Sequence, residues 1–170
     1  MTLGFYENFP ENIHRIDTFT SALSNKQLQQ KLIRVLHNVN RREFTFEEVT
    51  NPTIPQGKVI FEVGIAEAEN FNFIDDDELE KTLNLLGKQR LHSMDFFCSV
   101  RYYKSEDEKK VPLKFDYFMI RAAFRKETIE IQVFHERGPR YISPEELTTF
   151  IFEKVNEASG KSRALKRANV

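Results

Sequence analysis

Several features are scarce in this sequence, and each scarcity narrows the class of protein. A single cysteine, Cys98, excludes an internal disulfide and is compatible with a reducing compartment. No apolar run approaches the roughly 18 residues needed to cross a bilayer. The N-terminus lacks the basic and apolar regions of a secretory signal. We therefore expect a cytoplasmic protein without a membrane span.

Catalytic and cofactor motifs are scarce as well. The six glycines are scattered and form neither a phosphate-binding loop nor a dinucleotide fingerprint, and there is no Gly-X-Ser-X-Gly elbow. The stretch at 135–139, HERGP, departs from the zinc-protease helix pattern because its fifth residue is Pro139. Cys98 lies among apolar neighbours, which predicts a buried, inert thiol. We expect no metal and no cofactor.

The residues that are present favour one globular domain. Apolar residues make up 40% of the 170, charged residues 30%, and phenylalanine occurs 16 times, which predicts an aromatic core. Residues 1–160 are predicted to form a single α+β domain, and 161–170 a flexible basic tail. That tail holds Lys161, Arg163, Lys166 and Arg167 and no acid, whereas 21 basic and 26 acidic residues remain outside it.

Hydrophobic periodicity and capping residues predict three helices, at 25–40, 76–86 and 144–158. The third is the best marked, because Ser143 can cap it, Pro144 suits its first position and Glu146 completes a capping box. Six strands are predicted, at 12–20, 43–50, 58–67, 93–104, 111–124 and 128–136. The order β-α-β-β-α-β-β-β-α predicts an α+β domain, with a largely antiparallel sheet of five to six strands and helices on one face.

Strand alternation separates two faces of this sheet. A two- or four-residue loop around Lys126 and Glu127 aligns the apolar residues of 111–124 and 128–136 on one side, together with Met94, Phe96, Cys98 and Val100. The opposite face is predicted to hold Asp95, Phe97, Ser99, Arg101, Tyr103, Tyr117, Met119, Arg121, Glu130, Gln132, Phe134 and Glu136. Its aromatic and charged side chains fit either a binding surface or a solvated face with cross-strand charge pairs.

The turn HERGPR at 135–140 is the clearest candidate site. Gly138 can take a positive φ and Pro139 fixes its own, so the turn is predicted to be rigid. Arg137 and Arg140 on such a turn, beside a helix start, suit an anionic group: phosphate, carboxylate or RNA backbone. The alternative is that both arginines pair with nearby acids or are merely solvated.

Two functions remain open at this level. The first is a non-catalytic binding or assembly domain that presents the mixed face and the turn to a protein complex or to nucleic acid, with self-association also open. Its binding candidates are Arg101, Tyr103, Arg121, Glu136, Arg137 and Arg140. The alternative is a small enzyme acting on a phosphate- or carboxylate-bearing substrate, with His135, Glu136 or Asp116 as acid–base groups. The missing catalytic motifs favour the first.

Overall fold

The computed structural model describes residues 3–50, 57–160 and 164–168. Within them are four helices: α1 (Asn25–Val39), α2 (Phe46–Val49), α3 (Asp76–Lys88) and α4 (Pro144–Ala158). The nine strands there are β1 (Arg15–Ser21), β2 (Glu43–Thr45), β3 (Gly57–Glu67), β4 (Asn70–Phe73), β5 (Ser93–Glu106), β6 (Lys109–Pro112), β7 (Asp116–Phe124), β8 (Thr128–Arg137) and β9 (Leu165–Arg167). The α+β class with an antiparallel sheet is confirmed, whereas the predicted five to six strands and three helices were too few.

Two of the differences arise where a predicted strand is interrupted. The segment 43–50 begins as β2, but the Glu48 side chain accepts a hydrogen bond from the Thr45 backbone N–H at 3.1 Å, and this capping contact starts the short helix α2. The segment 111–124 divides into β6 and β7. Asp107 and Glu108 take positive φ values of 49° and 62°, which turns the end of β5 back into β6.

The three long helices begin at side chains that satisfy their first backbone N–H groups. Ser24, Asp75 and Ser143 each accept a hydrogen bond at the start of α1, α3 and α4. At α4 the predicted capping box is confirmed. The Ser143 hydroxyl accepts from the Glu146 N–H at 3.1 Å, and the Glu146 carboxylate accepts from the Ser143 N–H at 3.0 Å. A cap of this kind contributes about 1 kcal/mol to helix stability.

The strand order is β2-β3-β5-β7-β8-β1-β9, with β4 paired to β3 and β6 paired to β5. The predicted register of the central hairpin is confirmed, because Ile120 lies opposite Val133 and Arg121 opposite Gln132. The loop that sets this register is Lys126-Glu127, since the Arg125 N–H donates to the Thr128 carbonyl at 2.9 Å. Ile120 and Val133 are buried, whereas Arg121 and Gln132 are half-buried on the other face.

All four helices pack on one face of the sheet. A single buried cluster joins residues of all four helices to residues of the sheet. It includes Leu28, Phe46, Leu86 and Leu147 from the helices and Phe61, Phe96, Phe118 and Ile131 from the strands. Aromatic rings contribute strongly, as predicted. Phe150 of α4 stacks on Phe61 with centroids 5.0 Å apart and meets Phe44 edge-on at 5.1 Å. No helix among the described residues is long and apolar enough to span a membrane.

The N-terminal segment crosses one end of the other face. It starts where the Gly4 N–H donates to the Ala66 carbonyl at 2.6 Å, and it reaches β8 where the His14 N–H donates to the Val133 carbonyl at 3.0 Å. Phe9 is buried on the way, with the Arg121 guanidinium 4.4 Å from its ring centroid. This part of the sheet face is therefore covered.

The C-terminal tail is a strand where the structure describes it, which corrects the expectation of a flexible arm for those residues. β9 pairs with β1 and places Leu165 opposite Ser21. The Asn156 side chain of α4 donates a hydrogen bond to the Leu165 carbonyl at 3.1 Å and accepts one from the Leu165 N–H at 2.8 Å. Burial of Leu165 explains the docking. Residues 1–2, 51–56, 161–163 and 169–170 lie outside the described residues.

Candidate functional site

A buried carboxylate, Asp116 at the start of β7, organises the turn that the sequence singled out. Its Oδ1 accepts from the His135 ring at 2.8 Å and from the Arg140 N–H at 2.7 Å. Its Oδ2 accepts from the Tyr102 hydroxyl at 2.5 Å and from the Tyr141 N–H at 3.0 Å. Burial, reinforced by this carboxylate, raises the pKa of Tyr102 far above its usual range, so the hydroxyl stays protonated and donates.

The turn itself is shaped by a β-bulge and a glycine. Phe118 lies opposite His135 but Tyr117 lies opposite Arg137, so Glu136 is the additional residue of a bulge. Gly138 follows with φ +116°, and a Cβ there would lie 2.3 Å from the Phe115 carbonyl oxygen and 2.4 Å from Asp116 Oδ1. Only glycine lets the chain pass this close to the carboxylate.

The predicted acid–base residues are brought together, but in a closed arrangement. His135 is buried, and while Nε2 faces Asp116, Nδ1 accepts from the Arg140 Nε at 3.2 Å. A neutral ring with its proton on Nε2 satisfies both contacts. Four donors occupy the Asp116 oxygens, and both ring nitrogens of His135 have partners. Neither Asp116 nor His135 therefore has a free position for a substrate. Glu136 is exposed at the bulge.

A row of five aromatic rings, which we call the aromatic row, begins at Tyr6 of the N-terminal segment and continues over the part of the sheet face that this segment leaves uncovered. In order these are Tyr6, Phe71, Phe97, Tyr117 and Phe115, with successive centroids 4.9, 5.7, 5.6 and 6.3 Å apart. Phe115 is 38% exposed and the other four are half-buried. The row therefore crosses β4, β5 and β7 as a continuous, partly accessible aromatic surface.

Two of the predicted arginines converge on one end of this row. The Arg101 guanidinium lies 5.6 Å from the Phe115 centroid and that of Arg137 lies 5.5 Å from the Tyr117 centroid. The Arg101 Nε is also 2.8 Å from a Glu62 oxygen. Its hydrogen bond with Tyr103, and then the Glu62 charge, raise the pKa of Arg101, which stays protonated. Arg101, Tyr103 and Arg137 thus form one group.

The other two predicted arginines do not join that group. Arg121 forms a two-point ion pair with the buried Asp95, at 2.7 and 2.8 Å, and lies beneath the N-terminal segment. This pair also anchors the segment, because the Tyr6 N–H donates to Asp95 at 2.7 Å. Arg140 takes a positive φ of 61° and turns toward His135. Both arginines have structural partners.

Three members of the aromatic row, Tyr6, Phe71 and Phe115, were missed from the sequence. Tyr6 lies outside every predicted strand, so no alternation placed it on this face. Phe115 shares the parity of Tyr117, so continuing the alternation backwards would have placed it on this face. Phe71 belongs to β4, whose four residues are too few for a periodic signal. The position of Arg137 over the Tyr117 ring depends on the bulge, which no local sequence pattern predicts.

Two further features are the placement of possible metal-ligating side chains and the surroundings of the single thiol. Within the described ranges, no three histidine, cysteine, aspartate or glutamate side chains come together as a metal site. Cys98 is buried, and burial raises the pKa of its thiol far above the usual range. The predicted burial of this residue is confirmed.

The fold and the face together define an α+β domain with helices on one side of an antiparallel sheet and an aromatic, arginine-bearing surface on the other. Comparison with known proteins finds no matching family model, no matching curated sequence and no matching solved structure.

Proposed function

We propose that this chain is a non-catalytic binding domain whose aromatic row, with Arg101, Tyr103 and Arg137, is the contact surface, and that its partner is single-stranded nucleic acid. The observation that carries the proposal is the row itself: accessible rings about 5–6 Å apart, two of them with a guanidinium over the ring. Single strands are bound in this manner, by stacking bases on aromatic rings while cations contact the backbone.

The charge of the surface supports a negatively charged partner. Lys58 shares the face with Tyr103, to which it is paired across β3 and β5, and within the described residues neither Lys58 nor Arg137 has an ion-pair partner. Of the acids nearby, Glu62 is already paired with Arg101, and Glu136 precedes Arg137 at the bulge. The chain as a whole carries a formal charge of −1, so this local excess of positive charge is distinctive.

The closed state of the turn supports binding over catalysis. The proposed acid–base pair of the enzyme alternative, His135 and Asp116, is occupied by contacts with Tyr102, Arg140 and the Tyr141 backbone. These contacts hold the backbone of the turn in place, and the turn places Arg137 beside Tyr117. A rigidly placed arginine loses less conformational freedom on binding than a mobile one.

Fluorescence anisotropy with a labelled single-stranded oligonucleotide of about twelve residues tests the proposal at about 50 mM salt. Phe115→Ala should weaken binding about fivefold or more because it removes one stacking ring. Arg137→Ala should weaken binding and reduce the slope of log affinity against log salt by about 0.7, because one phosphate contact is lost. Arg34→Ala, an exposed charge on α1, is the matched control and should change neither quantity.

Two results would count against the proposal. A wild-type protein that does not retain the oligonucleotide at low salt would exclude nucleic acid and leave a protein partner for the same face. Equal losses in Arg34→Ala and Arg137→Ala would show that only the total charge matters and that the aromatic row is not the contact surface.

A further inference from the structure

A second, separate site is formed where the β7–β8 hairpin meets the start of α1 and the segment before β5. A cleft of about 540 Å³ opens there. It is lined by Ser21, Leu23, Ser24, Asn25, Arg90, Leu91, His92, Phe124, Arg125, Lys126 and Glu127. It shares no residue with the aromatic row.

The cleft is basic although the chain is slightly acidic. Arg90, Arg125 and Lys126 line it, together with His92, against the single acid Glu127. In the described part of the chain, Arg90 and Lys126 have no ion-pair partner. Arg125 has a distant one, with its Nη2 3.9 Å from a Glu130 oxygen. Three cationic residues therefore line one cavity, and Arg125 is the one of them with an ion-pair partner among the described residues.

The walls that carry these cations are fixed by hydrogen bonds. Gln29 of α1 is fully buried. Its side-chain amide donates a hydrogen bond to the Leu91 carbonyl at 2.6 Å and accepts one from the Leu91 N–H at 3.1 Å. This holds Arg90 and His92 on either side of Leu91. The Asn25 amide donates to the Arg125 carbonyl at 3.2 Å, and the Phe124 N–H donates to the His92 carbonyl at 2.9 Å. The three walls are thus tied to one another before any ligand arrives.

We propose that this cleft binds a phosphate-bearing small molecule of about nucleotide size. Two guanidinium groups and an ammonium suit the several oxygens of a phosphate, since arginine can donate two parallel hydrogen bonds to it. Leu23, Leu91 and Phe124 supply apolar wall for the remainder of the ligand. The volume lies within the range of about 300–1,000 Å³ that is typical of small-molecule sites.

Isothermal titration calorimetry of the full chain with ADP, adenosine and inorganic phosphate tests this proposal. Wild type should bind ADP and bind adenosine much more weakly. The double variant Arg90→Ala/Arg125→Ala should lose about tenfold or more in ADP affinity. A double variant that removes the same net charge outside the cleft, Arg34→Ala/Lys88→Ala, is the control and should bind ADP as wild type does. Lys126→Glu is a second, independent variant and should weaken ADP binding too.

The proposal would be overturned if neither ADP nor inorganic phosphate bound. It would also be overturned if ADP and adenosine bound with equal affinity, or if the cleft and control double variants lost equal ADP affinity. The site is independent of the oligonucleotide surface. Arg90→Ala/Arg125→Ala should therefore bind the oligonucleotide as the charge-matched control does, so the two proposals fail separately.

Discussion

At the scale of single residues, Gly138 explains the sequence of the turn between β8 and α4. The stretch HERGPR looks like a ligand site because it concentrates charge, yet its backbone is folded around the buried Asp116. The N–H groups of Arg140 and Tyr141 both donate to that carboxylate. A buried acceptor that satisfies backbone donors has a structural role that the residue types alone do not reveal.

Gly138→Ala should lower the free energy of unfolding by about 3–5 kcal/mol, because the added Cβ meets two oxygen atoms and φ is +116°. Gly160→Ala is the matched control, with a positive φ of +77° but open space around the Cβ, and should cost about 1 kcal/mol. Gly87→Ala, inside α3 with nothing near, should stabilise by up to about 1 kcal/mol. Urea denaturation measures all three, and equal effects at Gly138 and Gly160 would refute the close approach to Asp116.

At the scale of elements, β9 shows how a short edge strand is held. Arg167 donates to Asp17 at 2.7 Å and to the Thr149 hydroxyl at 3.0 Å, and its guanidinium lies 5.3 Å from the Phe19 centroid. Arg15 donates to the same carboxylate at 2.9 and 3.0 Å. A strand of three residues has few ladder bonds of its own, so these side-chain contacts help to hold β9 against β1.

Asp17 should make the docking of β9 sensitive to acid. Burial by itself would raise the pKa of Asp17, but the Arg15 and Arg167 guanidinium groups outweigh it and lower the pKa. A lowered pKa means that the stabilisation is complete above the unfolded-state value of about 3.9 and is lost as the pH falls through the folded-state value.

Asp17→Asn should therefore cost about 1–3 kcal/mol at pH 7 and progressively less as the solution is acidified below about pH 4. Urea denaturation at pH 7 and below about pH 4 gives the difference in the free energy of unfolding between wild type and Asp17→Asn. Glu153→Gln, an exposed acid on α4, is the control and should have little effect at either pH. A difference between wild type and Asp17→Asn that stays constant with pH would show that the ion pairs contribute nothing.

At the scale of the whole molecule, one core serves every helix. The buried cluster contains residues of α1, α2, α3 and α4 together with both halves of the sheet, so the four helices of the described residues share one hydrophobic core. Among the described residues, the opposite face is covered at one end by the N-terminal segment. The molecule is therefore asymmetric: one side of the sheet supplies stability, and the other side and the cleft at its end supply accessible surface.

A single core predicts a single unfolding transition. Far-ultraviolet circular dichroism reports the helices, and tyrosine fluorescence reports tertiary packing without interference, because the chain has no tryptophan. The two curves against urea should coincide with one midpoint. Separate midpoints would mean that the helices and the sheet unfold independently, contrary to the shared cluster.

Most of the framework was predictable because it depends on local chemistry. The capping box at Ser143, the stripe of α1 and the apolar alternation of β3, β5, β7 and β8 each arise from residues close together in sequence. The face assignment of Ile120 and Arg121 needed only the length of one loop. Elements of three or four residues, such as β4, α2 and β9, were not predicted because they contain too few residues to show a hydrophobic period.

The sequence by itself determined the class of the fold, the two faces of the sheet and the rigid turn, since these follow from propensity, alternation and capping. Only the tertiary structure decided which charged residues share a site. Asp116 and Arg140, 24 positions apart, meet in the turn. Arg101 and Arg137 lie over two neighbouring rings of the aromatic row, and Arg90 and Arg125 line the same cleft. The physical reason is that such pairings depend on register, bulges and loop closure between distant strands, and no short stretch of sequence contains that information.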